Sequence, residues 1–344
     1  MASNSAFDNK TSALEVARTY SSQARGKTVL ITGVSKDGIG EAIARAFAYG
    51  GASTIIITGR DDTRLSSITK DLSIDYPSVK LQPHKLDLTS LEATRRSANE
   101  LLEDETIPKI DIVVANAGGS FHGPRTVTPD GLESHLAINH LSHYLFVTTL
   151  LPKLRLAAQQ SAPGDTRVVV MSSLATVVSP FRFADYNLEG KPVPADEAPN
   201  WAILKQLLGL EEHEGYDSEV AYGQSKTANA LFAVHLNTLF SSEGIFAFAL
   251  HPGGVQSRAA KKVLGAMTEE QRAKVTIPFD KDIDQGAATP LVAALDRGLT
   301  PEKGVFLNDC QVMDAPPYAV SKENAQKLWK LSEEIIAQKL GSAV

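Results

Sequence analysis

Tyr222 and Lys226 stand four residues apart in Tyr222-Gly223-Gln224-Ser225-Lys226, at what reads as the start of a helix. On a helix that spacing puts both side chains on one face. An ammonium beside a phenol favours the phenolate and would draw its pKa down from about 10 towards the range where it trades protons at neutral pH, which makes Tyr222 a candidate general acid/base. A half-buried tyrosine beside a solvated lysine gives the same spacing. What the rest of the chain places around the pair therefore decides between the two.

The 344 residues are 43% hydrophobic and 22% charged, with no Pro/Gly/Ser-rich linker dividing them, and are read as one globular domain. A net charge of -6 without a run of Lys or Arg leaves no footprint for nucleic acid or an anionic membrane surface, so small molecules are the expected partners. Cys310 is the only cysteine, which rules out an intramolecular disulfide and a thiolate metal cluster and fits a reducing compartment. Residues 1–10 are polar and do not resemble a secretory signal, and no apolar run approaches the ~18 residues of a membrane span. A cytoplasmic location is expected.

Seven short apolar runs recur with helical patterns between them: Thr28–Thr32, Thr54–Thr58, Val79–Leu86, Ile110–Ala115, Arg167–Met171, Ile245–Leu250 and Gly304–Leu307. Most are continuous in Val, Ile and Leu, the pattern of strands buried on both faces. The expectation is an α/β, doubly wound Rossmann fold: a seven-stranded parallel sheet with helices on both faces. Ligands then bind at the C-terminal edge of the sheet, in the loops that follow the strands.

The first such loop is Thr32-Gly33-Val34-Ser35-Lys36-Asp37-Gly38-Ile39-Gly40, leading into a helix closed by Gly50-Gly51. Glycines admit a pyrophosphate to the backbone, and the helix N-terminus stabilises its charge. The second strand ends in Thr58-Gly59-Arg60-Asp61, where an acidic residue would take a ribose hydroxyl and an Arg would accommodate a 2′-phosphate. Arg60, with Lys36 as a second cation, favours NADP(H); Asp61 or Asp62 taking a hydroxyl would favour NAD(H) instead. Asp87, followed by Leu88 and Thr89, lies where a side chain reaches an adenine or caps a helix. The fourth strand runs into Asn116-Ala117-Gly118-Gly119, and Asn139 follows in Ile138-Asn139-His140-Leu141.

Thr-Gly with Gly-Ile-Gly, Asp-Leu-Thr, Asn-Ala-Gly, the helical Asn139, Ser172-Ser173 after strand five, Tyr-x-x-x-Lys, and His251-Pro252-Gly253 after strand six occur in the order of the short-chain dehydrogenase/reductase family, which the chain resembles over roughly residues 26 to 335. Asn139-His140-Leu141, Ser225-Lys226-x-Ala228-Asn229-x-Leu231-Phe232 and Leu328-Trp329-x-Leu331-Ser332 look like its retinol-dehydrogenase-like branch. Residues 1–25 are then an N-terminal extension and 336–344 a tail. The glycine motif departs from the family's usual Thr-Gly-x-x-x-Gly-x-Gly by one extra residue between Gly33 and Gly38.

The resemblance implies hydride transfer between a nicotinamide cofactor and an alcohol or carbonyl, with Tyr222 as acid/base and Ser173 bonding the substrate oxygen. Lys226 would bond the nicotinamide ribose, and Asn139 would hold a water linking Lys226 to solvent. It further implies cofactor contacts from Gly33, Ser35, Lys36, Gly38, Ile39, Gly40, Arg60, Asp87, Leu88, Asn116, Ala117 and Gly118, and from Pro252, Val255 and Ser257 along the nicotinamide. No metal is expected: His140 and His143 lack a third ligand nearby, and no Gly-x-Ser-x-Gly elbow marks a hydrolase.

Residues 174–221 and 255–290 are expected to form a substrate-side insert and lid. The insert carries Phe181, Phe183, Tyr186 and Trp201 and an amphipathic helix over about Trp201 to Leu210, which suits an apolar alcohol or carbonyl. A homo-oligomer is compatible with this reading. The competing functions are a regulatory protein that binds the cofactor without chemistry and an isomerase or epimerase that uses it transiently.

Overall fold

The computed structural model describes residues 2–257, 260–261, 265 and 279–341, so most of the expected lid lies outside the described residues. The strands are β1 (Thr28–Ile31), β2 (Thr54–Gly59), β3 (Lys80–Lys85), β4 (Ile112–Ala115), β5 (Thr166–Met171), β6 (Ile245–His251), β7 (Phe306–Asn308) and β8 (Gln311–Val312). They form one sheet in the order β3-β2-β1-β4-β5-β6-β7-β8. Neighbours from β3 to β7 are parallel and β8 is antiparallel to β7.

The order reverses between β1 and β4, the switch point where a doubly wound sheet opens its ligand crevice. The sheet therefore has one strand more than the seven expected. β8 is only two residues long and is reached through a turn at Asp309 and Cys310, both with positive φ (48° and 64°). Such a turn usually announces itself by Asn-Gly or Asp-Gly, and here it does not.

Among the described residues the α-helices with both ends defined are α1 (Ala13–Thr19), α2 (Ser21–Ala24), α3 (Ile39–Tyr49), α4 (Asp62–Asp75), α5 (Leu91–Glu103), α6 (Ser142–Thr149), α7 (Leu151–Gln159), α8 (Trp201–Leu208), α9 (Ser218–Phe240), α10 (Ile283–Leu295) and α11 (Lys322–Leu340). Successive strand residues point to opposite faces, and the core divides accordingly. Leu30, Ile56, Val113 and Val168 pack with residues of α5, α6, α9 and α11, whereas Val29, Ile55, Ile112 and Val169 pack with residues of α1, α3, α4 and α10. Continuous Val and Ile in the strands is what this double burial requires.

Residues 2–24 are built into the second of these layers. Ala2, Phe7, Val16, Ala17 and Tyr20 are buried there. The Ala2 N–H donates to Gln311 Oε1 at 3.1 Å and the Ser3 N–H to Asp296 Oδ2 at 2.7 Å. Among the described residues no helix is long and apolar enough to cross a membrane.

Candidate active site

The loop after β1 is shaped for close approach. Gly33 has φ 69°, and a Cβ there would meet Ala117 Cα at 2.6 Å. Gly38 is the N-cap of α3 and contributes no side-chain cap, which leaves the first N–H groups of that helix open to an anion. A Cβ on Gly40 would meet Asn116 Nδ2 at 2.8 Å. That amide matters because Asn116 donates to the carbonyls of Thr32 (2.8 Å) and Gly33 (3.3 Å), tying the end of β4 to the glycine loop. The loop's extra residue is taken up around Asp37, which has φ 58° and donates its N–H to Glu41 Oε2 at 2.8 Å. Ser35 closes the turn by accepting the Gly38 N–H, and Ile39 opens α3.

Among the described residues Arg60 has no hydrogen-bond or ion-pair partner, and it is exposed at the end of β2. The two acids beside it are engaged. Asp61 caps α4 and pairs with Arg64 at 3.1 Å, and Asp62 pairs with Lys85 at 3.2 Å. Lys36, the expected second cation, pairs with Asp71 at 2.8 Å across an exposed surface, a bond weak enough to exchange. Asp87 does not cap α5, whose N-cap is Ser90; its carboxylate accepts the Thr89 N–H and hydroxyl instead. The Leu88 carbonyl accepts the Ser142 hydroxyl.

The catalytic candidates converge on the C-terminal ends of β4 and β5. Asn139 lies in a π-helical turn, Leu136–Leu141, a rare geometry that concentrates at functional sites. Its side chain is buried, donates to the Ser225 hydroxyl at 2.9 Å and exchanges two hydrogen bonds with the Gly119 backbone. A Cβ on Gly118 would stand 3.1 Å from Asn139 Oδ1 and 3.5 Å from Lys226 Nζ, so both groups flank that glycine. Lys226 Nζ donates to the Met171 carbonyl at 2.9 Å and lies 5.5 Å from the centre of the Tyr222 ring. Ser172 is buried and donates to the Lys226 carbonyl, whereas Ser173 accepts the Ala175 N–H and lies beside the Tyr222 phenol.

Electrostatics here reverse one sequence expectation. The Tyr222 phenol is pushed up to about 12, chiefly by burial; the Ser173 hydrogen bond opposes this and the Glu219 charge adds to it. Burial also draws Lys226 down to about 8. The ammonium is desolvated itself and turned towards the Met171 carbonyl, so it does not offset the burial of the phenol.

Both ring nitrogens of His143 have partners, whereas Nδ1 of His140 is buried with no hydrogen-bond partner. Thr32 Oγ1 accepts the Ala117 N–H at 2.9 Å and meets His143 Nε2 at 2.9 Å, while His143 Nδ1 faces the carbonyls of Ile138 and Asn139. Nδ1 must then carry the proton and Nε2 must accept from Thr32. Burial lowers His143 to about 4 and His140 to about 3, so both are neutral. His140 bonds the Ser332 hydroxyl. No group of three or more His, Cys, Asp or Glu among the described residues is arranged to hold a metal. The Thr32–His143 strut was hidden in the sequence because its members lie 111 positions apart.

Beyond β6, Pro252 leads to Val255, which is buried and bridges Lys281, and Ser257 accepts the Ala260 N–H. The insert brings α8 against the site. Leu204 is buried with Val178, which follows Ser173, and Val220, which precedes Tyr222. The helix ends two residues before the expected Leu210 because Gly209 takes a left-handed C-cap, φ 68°.

A short chain dehydrogenase family model matches residues 27–187. The chain is 37% identical over 249 residues to the oxidoreductase fscI of Fusarium equiseti, covering 72% of this chain and 95% of that protein. It is 33% identical over 316 residues to retinol dehydrogenase 12 of Mus musculus, covering 91% and 87% respectively. Among solved structures it superposes on the Pseudomonas aeruginosa RhlG/NADP active-site complex with a TM-score of 0.57 at 25% identity, covering 80% of this chain and 91% of that one. With most of a retinol dehydrogenase's length matched, and this strand order beneath the match, the chain belongs to the short-chain dehydrogenase/reductase family of oxidoreductases, in its retinol-dehydrogenase-like branch.

Proposed function

We propose that the protein is an NADP(H)-dependent oxidoreductase that interconverts an alcohol and a carbonyl on an apolar small molecule, with Tyr222 as the proton donor and acceptor. The observation that carries this reading is a connected cluster: Ser173 beside the Tyr222 phenol, Lys226 Nζ beside the Tyr222 ring, and Lys226 and Asn139 together flanking Gly118. A phenol pushed up to about 12 holds its proton at neutral pH, which is the form needed to protonate an alkoxide as it develops. Ser173, beside the phenol, would share the substrate oxygen. Lys226 is free to exchange the Met171 carbonyl for a ribose hydroxyl.

A nicotinamide dinucleotide, when bound, supplies or accepts the hydride. The residues fit such a group. The glycine cradle at Gly33, Gly38 and Gly40, with Ser35 and Ile39 at its rim, suits the pyrophosphate. Arg60, unpartnered among the described residues, suits a 2′-phosphate while Asp61 and Asp62 are engaged elsewhere, and Lys36 supports it after leaving Asp71. Asp87 and Leu88 would flank the adenine, Asn116 to Gly118 the inner ribose, and Pro252, Val255 and Ser257 the nicotinamide amide. The Pseudomonas aeruginosa relative is an NADP complex, in line with this preference. The insert from 174 to 221, with Trp201 and α8, forms the apolar substrate-side wall.

Loss of NADPH absorbance with a series of n-alkyl aldehydes, slower with NADH, is the expected result. NADPH binding without turnover of any carbonyl or alcohol would instead make it a cofactor-binding regulator, and product formed without net change in absorbance an isomerase.

A further inference from the structure

His135 stands between the Phe121 ring and the Tyr222 ring, at centroid distances of 5.0 and 6.0 Å, and is completely buried. Both of its ring nitrogens are committed. The Phe121 backbone N–H donates to Nε2 at 2.8 Å, so Nε2 must carry the lone pair. Nδ1 then bears the proton and donates to Glu133 Oε1 at 2.8 Å.

Glu133 is equally buried and accepts two further donors, the Leu136 N–H at 2.9 Å and the Tyr216 hydroxyl at 3.0 Å. Burial would raise its carboxyl, but the hydrogen bonds from His135 and the backbone outweigh that and hold it below the usual carboxylate range. One carboxylate thus ties together the π-helical turn that carries Asn139, the end of the insert at Tyr216 and, through His135, the loop after β4.

We propose that Glu133 and His135 are a positioning pair: the carboxylate fixes the imidazole as its Nδ1–H tautomer, and the imidazole holds the Phe121 backbone so that the loop after β4 forms the rim of the substrate site beside Tyr222. The pair touches no reacting atom. It rests on the reading of Tyr222 as the acid/base only in that the rim serves that reaction. An alanine here would leave a buried carboxylate short of a donor and the Phe121 N–H without an acceptor, whereas glutamine at 135 offers an amide oxygen towards that N–H.

The test is nitrogen-15 NMR of the histidine-labelled wild-type protein, combined with kinetics on the best-reduced aldehyde of an n-alkyl series. His135 should show a neutral ring with a proton-free Nε2. His135→Ala should raise KM roughly 10-fold, the scale of a lost hydrogen bond, with kcat changed less, and His135→Gln should stay within about twofold of wild type. A protonated Nε2 in the wild-type spectrum overturns the proposal, as does a glutamine variant no better than alanine. The spectrum decides even if the alanine variant does not fold. If Tyr222→Phe kept full turnover while His135 showed the expected tautomer, the acid/base reading would fail and the positioning pair would stand.

Discussion

At the scale of single residues, the site is a balance between burial and the charges that chemistry needs. Arg60 is the clearest case of a group left without a structural role: it is exposed and unpartnered among the described residues, while Asp61 and Asp62 have partners of their own. Arg60→Ala should weaken NADPH binding by about 1.5 to 3 kcal/mol, the value of a hydrogen bond to a charged group, with little change for NADH. Titration calorimetry of the two cofactors checks this, and equal losses for both would remove Arg60 from the 2′-phosphate.

Lys226 carries a stability signature as well. Because burial lowers it from 10.5 to about 8, the unfolded chain binds a proton that the native chain lacks between those values, and stability from this residue rises with pH across that window. Lys226→Met should therefore melt above wild type at pH 7, with the margin shrinking as pH approaches 10. A margin independent of pH would mean that burial does not set the lysine's charge. The Tyr222–Lys226 pair was legible because helical spacing brings it together. The inverted direction of the tyrosine shift was not, since it depends on what surrounds the phenol rather than on what lies four residues away.

At the scale of elements, strands whose Val and Ile runs are continuous were readable, and the features that shape the site were mostly not. The π-helical turn at Leu136–Leu141 has no periodic marker, because one widened turn leaves the spacing of apolar residues nearly helical. The Glu133–His135 pair sits just before it and joins residues from three separate segments. The insert helix forms over Trp201–Leu208, two residues short of the expected end, and of its apolar face Leu204 alone is fully buried.

What that face covers needed coordinates: Leu204 packs with Val178 and Val220, on the chain segments that carry Ser173 and Tyr222. Leu204→Ala should cost about 2 to 3 kcal/mol of stability and raise KM for long-chain aldehydes more than for short ones. Melting curves together with KM across the n-alkyl series check both parts. A loss of stability with no chain-length dependence would make α8 scaffolding only.

At the scale of the whole molecule, a doubly wound sheet brings the C-terminal ends of its seven parallel strands to one edge, and its strand order places the switch point between β1 and β4, where Gly33 and Asn116 meet. That architecture followed from alternating buried strands and helices. The role of residues 2–24 did not, because α1 is only seven residues long and its burial partners, α3 and α10, come from distant parts of the chain. Whether this edge performs hydride-transfer chemistry with Tyr222 handling the proton is decided by comparing NADPH affinity and aldehyde turnover in wild type and Tyr222→Phe. NADPH affinity should stay within a few fold of wild type while turnover falls by roughly 10² to 10⁴. Turnover retained, or NADPH binding lost in step with it, would remove Tyr222 from the proton step.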